Sequence, residues 1–174
     1  MADLTRVRDR TSRAAERARA EDAGQSEYLA FRVSGGVFAV PVAIVREIVR
    51  ASRITPVPRA PHAILGITSF RGRIVTVIDL GLRLGIDSSA NTPERGRTLT
   101  DAARGRMRTL MVDVAGETLG LTVDEVLVVH RFAPREIERA SQAVGGDVAD
   151  HVVGIARPSD SEVVQLLDAK ALTV

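Results

Sequence analysis

Four carboxylates fall inside or at the ends of apolar, strand-like runs: Glu47, Asp79, Asp113 and Asp124. A pair of carboxylates can act as general acid and base when the fold brings them together. No two of these share a short element, and acids at strand ends commonly cap turns. The three histidines, His62, His130 and His151, stand far apart with no second ligand nearby in sequence, so a metal site is not expected. Cysteine is absent, which excludes disulfides, thiolate metal centres and thiol nucleophiles. Nothing matches a nucleophile elbow or a Ser-His-Asp arrangement. Gly35-Gly36 lies between two strand patterns with no helix and no lysine behind it, so it is no phosphate cradle. The expectation is no enzyme, no metal, no cofactor and no small-molecule substrate.

One constellation remains. Glu47 interrupts the apolar segment Ile44-Val45-Arg46-Glu47-Ile48, and Arg71 stands in the tight turn Phe70-Arg71-Gly72. An arginine in a glycine turn between two apolar strands is displayed, and its planar fork suits a carboxylate. If the two meet, they form an ion pair at the surface of a β-structure.

The elements that must position these residues are short. Tyr28–Val33 and Val37–Val40 read as two strands joined at Ser34-Gly35-Gly36, where glycine supplies the positive φ of a tight hairpin. Pro41 ends the second. Val42, Val45, Ile48 and Val49 recur at helical spacing, so 42–50 is expected to be a short helix or helical turn. Three prolines keep 53–61 extended. Strands follow at 63–69 and 74–80 across Arg71-Gly72-Arg73, and a short turn at 80–86. Residues 109–114 and 118–123 pair across Ala115-Gly116-Glu117, 124–130 continues apolar, and 133–146 reads as loop. A last strand pair, 152–156 and 162–167, ends in a helical turn at 168–172. The pattern of strand, glycine turn, strand and apolar segment occurs twice, near 28–49 and near 109–129. That predicts an all-β fold of two small barrels, each completing its core with the other. The boundaries expected are an N-terminal helical or disordered arm over 1–26, then one domain over 27–174. Within it lie a first barrel over 27–86, a polar loop over 87–108, and a second barrel over 109–156 closed by 157–174.

Composition narrows the function. The chain has 174 residues, 45% of them hydrophobic, enough for a sizeable core. All of the 24 basic residues but Lys170 are arginine, against 22 acidic ones, a net charge of +2. The signs are mixed rather than clustered, and aromatics make up 3%, which argues against a nucleic-acid platform. The alternative of a small β-barrel nucleic-acid or anion binder rests on Arg95, Arg97, Arg104, Arg106, Arg108 and the N-terminal arm. No apolar run is long enough for a membrane helix, and charges at the N-terminus argue against a secretory signal, so the cytoplasm is the expected compartment.

Several blocks resemble the CheW-like chemotaxis adaptor family. They are Glu27–Val33, Val37–Val42, Val45–Ile48, Thr55–Pro61 and Ile64–Ile67. Phe70-Arg71-Gly72-Arg73-Ile74-Val75-Thr76-Val77-Ile78-Asp79-Leu80 looks like the family's N-L-R-G-x-I-V-P-V-V-D-L stretch. Gly120–Val126, Val153–Ile155 and Leu166–Asp168 follow in the right order, so the resemblance spans about 28–172. It implies two five-stranded SH3-like β-barrels around a shared hydrophobic core. The implied role is non-catalytic scaffolding that links the cytoplasmic tip of chemoreceptors to the regulatory domain of a CheA-type histidine kinase. Self-association in rings is also within the family's reach, and the membrane is reached only through receptors.

Carried over by position, the receptor surface falls on Val45, Glu47, Arg71, Ile74 and Val75, with Arg71 paired to Glu47. The kinase surface falls on Val112, Val114 and Leu119, expected to be mostly core with part of a face open. The chain departs from the pattern at Ser69-Phe70, Thr76 and Gly81, in the length of 87–108 and in its N-terminal arm. Both flagellar chemotaxis and a second chemosensory output stay open on these residues.

Overall fold

The computed structural model describes residues 24–50, 53–86, 106–139 and 147–173. The expected arm over 1–26 and loop over 87–108 fall almost wholly outside them. Among the described residues, eleven strands run β1 (Ser26–Val33), β2 (Gly36–Pro41), β3 (Val45–Arg50), β4 (Ile64–Phe70), β5 (Arg73–Asp79), β6 (Arg108–Val114), β7 (Glu117–Val123), β8 (Glu125–Phe132), β9 (Ile137–Arg139), β10 (Val152–Ser159) and β11 (Glu162–Leu167). One helical turn, α1 (Leu80–Arg83), follows β5.

The all-β expectation holds. The pair of modules appears as two sheets, ordered β8-β1-β2-β11-β10-β9 and β3-β6-β7-β5-β4. The sheets do not follow the expected division at 87–108. Hairpin β1–β2 joins the strands of the second half, and hairpin β6–β7 joins β3, β4 and β5 of the first. The doubled pattern is therefore real but exchanged: after β1–β2 and after β6–β7 the chain leaves for the other sheet. Between β2 and β3 a 3₁₀ turn, Val42–Ile44, makes that crossing. Between β7 and β8 the crossing is made at Asp124, whose carboxylate accepts from the Ser34 backbone N–H at 2.7 Å.

Three hairpins turn on two residues that both have positive φ, as type I′ requires: Ser34-Gly35, Arg71-Gly72 and Ala115-Gly116. The twist of such turns matches that of the strands, so each hairpin closes in register.

The core lies between the sheets. Leu29, Phe31 and Val33 of β1 and Phe38 and Val40 of β2 meet Leu110, Val112 and Val114 of β6 and Leu119, Leu121 and Val123 of β7. Ile78, Leu80, Leu84, Val152, Leu167 and Leu172 complete it. A smaller cluster of Ala30, Ala39, Phe132, Ala156, Val164 and Leu166 fills the other face of the six-stranded sheet. The C-terminal 3₁₀ turn is tied down by Arg83, which donates to the carbonyls of Ala171 and Thr173 at 2.7 and 2.8 Å.

Two local expectations are corrected. Residues 42–50 are not a helix. One 3₁₀ turn gives way to β3, whose burial alternates with the strand period. The helical spacing of Val42, Val45 and Val49 was accidental, and the β-branched content of the segment favours a strand. Residues 133–146 are not all loop: β9 adds an edge strand beside β10.

Candidate functional site

Strand alternation selects two faces of the five-stranded sheet. Val112 and Leu121 face the core, so Met111, Asp113, Thr118 and Gly120 occupy the opposite face. Val77 lies beside Gly120 in the parallel β5–β7 pairing, which places Arg73 and Val75 on that face too. A Cβ on Gly120 would stand 3.0 Å from the Thr109 methyl and 3.3 Å from Val77, so this face is closely packed at its middle. At one end it opens into a cleft of about 400 Å³ lined by Arg46, Phe70, Arg71, Arg73, Val75 and Thr118.

The rim of the cleft is charged. Arg71 Nη2 donates to Glu47 Oε2 at 2.5 Å. Glu47 lies on β3 and Arg71 at the tip of β4–β5, elements at opposite edges of the sheet order. The sheet must curl for them to meet. The Arg71 guanidinium also sits over the Phe70 ring, 5.5 Å from its centroid. A second pair joins Arg46 to Asp113. Arg46 is the extra residue of a bulge, because Val45 pairs with Val112 and Glu47 with Met111. Bulges re-aim side chains, and here adjacent residues of β3 each find an ion-pair partner. Thr118 Oγ1 donates to Asp113 Oδ1 at 2.8 Å. That hydrogen bond, with Arg46 and Arg73 nearby, holds the Asp113 carboxyl below its ordinary range.

The structure brings Glu47 and Arg71 together, the pairing that the resemblance implies. Their side chains are 37% and 76% exposed. Ile74 is 76% exposed on the same hairpin, and Val45 packs partly against the core. Val75 is 2% exposed and lines the cleft instead of presenting a free face. Val112, Val114 and Leu119, expected to show part of a face, are 0, 4 and 7% exposed. Their side chains are core, because alternation turns all three toward the second sheet. Asp79 and Asp124 do cap turns: Asp79 accepts from the Leu82 N–H at 3.0 Å, and Asp124 from Ser34. Of the arginines behind the alternative reading, Arg95, Arg97 and Arg104 lie outside the described residues.

Arg46, Phe70, Arg73 and Thr118 escaped the sequence reading, which met Asp113 only as a carboxylate in a strand-like run. Asp113 and Thr118 could have been paired by counting back from the Ala115-Gly116 turn. Arg46 could not, since its position depends on a bulge.

Fold and site together define a small all-β domain with two exchanged halves and an ion-paired rim on one sheet. The model of the CheW-like domain matches residues 27–174. Protein FrzA of Myxococcus xanthus is 33% identical over 151 residues, 85% of each chain. The chemotaxis protein CheW of Rhizobium meliloti (strain 1021) is 30% identical over 115 residues, 66% of each. The crystal structure of the scaffolding protein TtCheW from Thermoanaerobacter tengcongensis superposes with a TM-score of 0.69 at 28% identity, covering 84% of this chain and 86% of that one. The chain belongs to the CheW-like family, whose members are scaffold adaptors of chemotaxis. No described helix is long and apolar enough to cross a membrane.

Proposed function

We propose that this chain is a non-catalytic cytoplasmic adaptor that couples the cytoplasmic tip of chemoreceptors to the regulatory domain of a CheA-type histidine kinase. The observation that carries the reading is the Glu47–Arg71 pair. An exposed ion pair contributes about 0–1 kcal/mol to stability. Held across two edges of a curled sheet, it serves better as an ordered contact surface than as a brace. Val45, Glu47, Arg71 and Ile74 form the receptor surface, with Val75 supporting them from within. A helix of the receptor hairpin packs there by its apolar face. The kinase domain docks on the sheet end whose shape Val112, Val114 and Leu119 maintain from the core. Copies of the chain also associate with one another in rings, and the membrane is reached only through receptors.

Titration calorimetry of the purified protein with the regulatory domain of a CheA-type kinase from the same genome, at two salt concentrations, tests this. Saturable binding that survives the higher salt is the expected result. No binding to that domain or to a receptor tip fragment overturns it. Oligonucleotide binding that collapses with salt would point to the nucleic-acid alternative.

A further inference from the structure

Three arginines and two acids share the cleft rim, and the acids are already held. Glu47 is bonded to Arg71, and Asp113 to Arg46 and Thr118. Arg73 acts on Asp113 only through its field, and among the described residues it forms no ion pair. Its side chain is exposed at the cleft mouth, above Val75 and near Phe70. Burying part of a guanidinium without an anion is costly, so whatever covers this mouth must supply one. The two acids repel an incoming anion, but each is neutralised by its own arginine, and the local balance is one positive charge.

We infer that the cleft receives the carboxylate of an Asp or Glu on the receptor helix that docks against this rim, with Arg73 as the residue that binds it. The inference rests on the adaptor reading and deepens it by naming the chemistry the partner must present. The fork of Arg73 takes both carboxylate oxygens, and the methylenes of the incoming side chain lie on Phe70 and Val75. The Glu47–Arg71 pair stays formed and fixes the hairpin that carries Arg73.

The test measures binding of wild-type protein, Arg73→Gln, Arg73→Lys and Arg73→Glu to the kinase regulatory domain and to a receptor tip fragment in parallel, over a range of NaCl. Arg73 is exposed, so unchanged melting curves are expected for all three. With the receptor tip fragment, Arg73→Gln should weaken binding about tenfold and flatten its salt dependence. Arg73→Lys should keep the salt dependence and lose part of the affinity. Arg73→Glu should lose about a hundredfold, and one Asp→Arg or Glu→Arg change on that partner should restore it. Wild-type binding with no change in any Arg73 variant overturns this inference and leaves the adaptor standing. Failure of wild type to bind either partner overturns both. An Arg73-dependent signal seen only with the kinase domain, with an oligonucleotide or with a second copy of this chain overturns it as well.

Discussion

The Glu47–Arg71 pair allows stability and recognition to be separated by mutation. At 37% and 76% exposure the pair is screened, so breaking it costs about 0–1 kcal/mol. For a chain of this size that is a fall of at most about 4 °C in Tm. Arg71 has φ 49° at the first central position of a type I′ turn. Asn-Gly is the preferred pair there, so Arg71→Asn improves the turn by a few tenths of a kcal/mol while deleting the guanidinium. The two effects offset each other, and Arg71→Asn should melt within about 2 °C of wild type. The reversal Arg71→Glu sets two carboxylates side by side and should melt several degrees lower. Adding Glu47→Arg restores an ion pair of opposite sense and should return most of the lost stability. A partner that reads the rim would still meet the wrong charges. Calorimetry should therefore show binding reduced about thirtyfold or more, about 2 kcal/mol, in Arg71→Asn and in the double swap alike. If the swap restores binding together with stability, the pair is only a brace and the receptor surface lies elsewhere. If Arg71→Asn binds as wild type does, Arg71 is no contact at all.

Two further predictions concern the frame. Gly66 has φ 148°, and a Cβ there would stand 2.2 Å from the Thr55 carbonyl oxygen. Gly66→Ala should cost about 3 kcal/mol, from backbone strain and overpacking together. Urea unfolding should find it, and a loss under 1 kcal/mol would mean that the Thr55–Ile67 bridge yields freely. Burial raises the Asp79 pKa above 3.8, although the Leu82 and Gly81 N–H groups oppose it. A raised folded pKa makes the ionised group a burden that is absent below pH 3.8 and grows as pH rises through the folded value. Asp79→Asn keeps a cap acceptor without the charge, so its stability should gain on wild type between pH 4 and pH 7 in urea melts. Asp79→Ala should lose about 1 kcal/mol of capping at both. Parallel profiles for wild type and Asp79→Asn would refute the burial argument.

What was legible in the sequence was local. Ser34-Gly35, Arg71-Gly72 and Ala115-Gly116 announced their hairpins, because a tight turn constrains φ at fixed positions and few residue types satisfy it. The core strands were visible through alternation, as in Leu110, Val112 and Val114. Glu47 stood out because an acid in an apolar run needs a reason, and Arg71 because it occupies a turn tip. Segment 42–50 was misread because its apolar residues fit both periods, and only pairing with β6 decides between them. The rim was half visible for a similar reason. Arg46 meets Asp113 across 67 residues of sequence, and the bulge that aims it leaves no composition signal.

The exchange of hairpins bears on how the rim works. Glu47 and Arg46 come from β3 and Arg71 and Arg73 from β4–β5, all from the first half, but Asp113 and Thr118 come from the β6–β7 hairpin of the second. The rim therefore forms only when both halves have folded into each other. The same holds for the core, where β1 and β2 pack on β6 and β7. Neither half can bury Phe31, Phe38, Leu110 or Leu121 by itself, and hairpins without that burial are marginal in water. A domain built this way resists independent motion of its two modules, because shifting one sheet drags strands belonging to both halves. That suits a scaffold, in which a contact on the rim of one sheet must hold its geometry while the other sheet is engaged elsewhere.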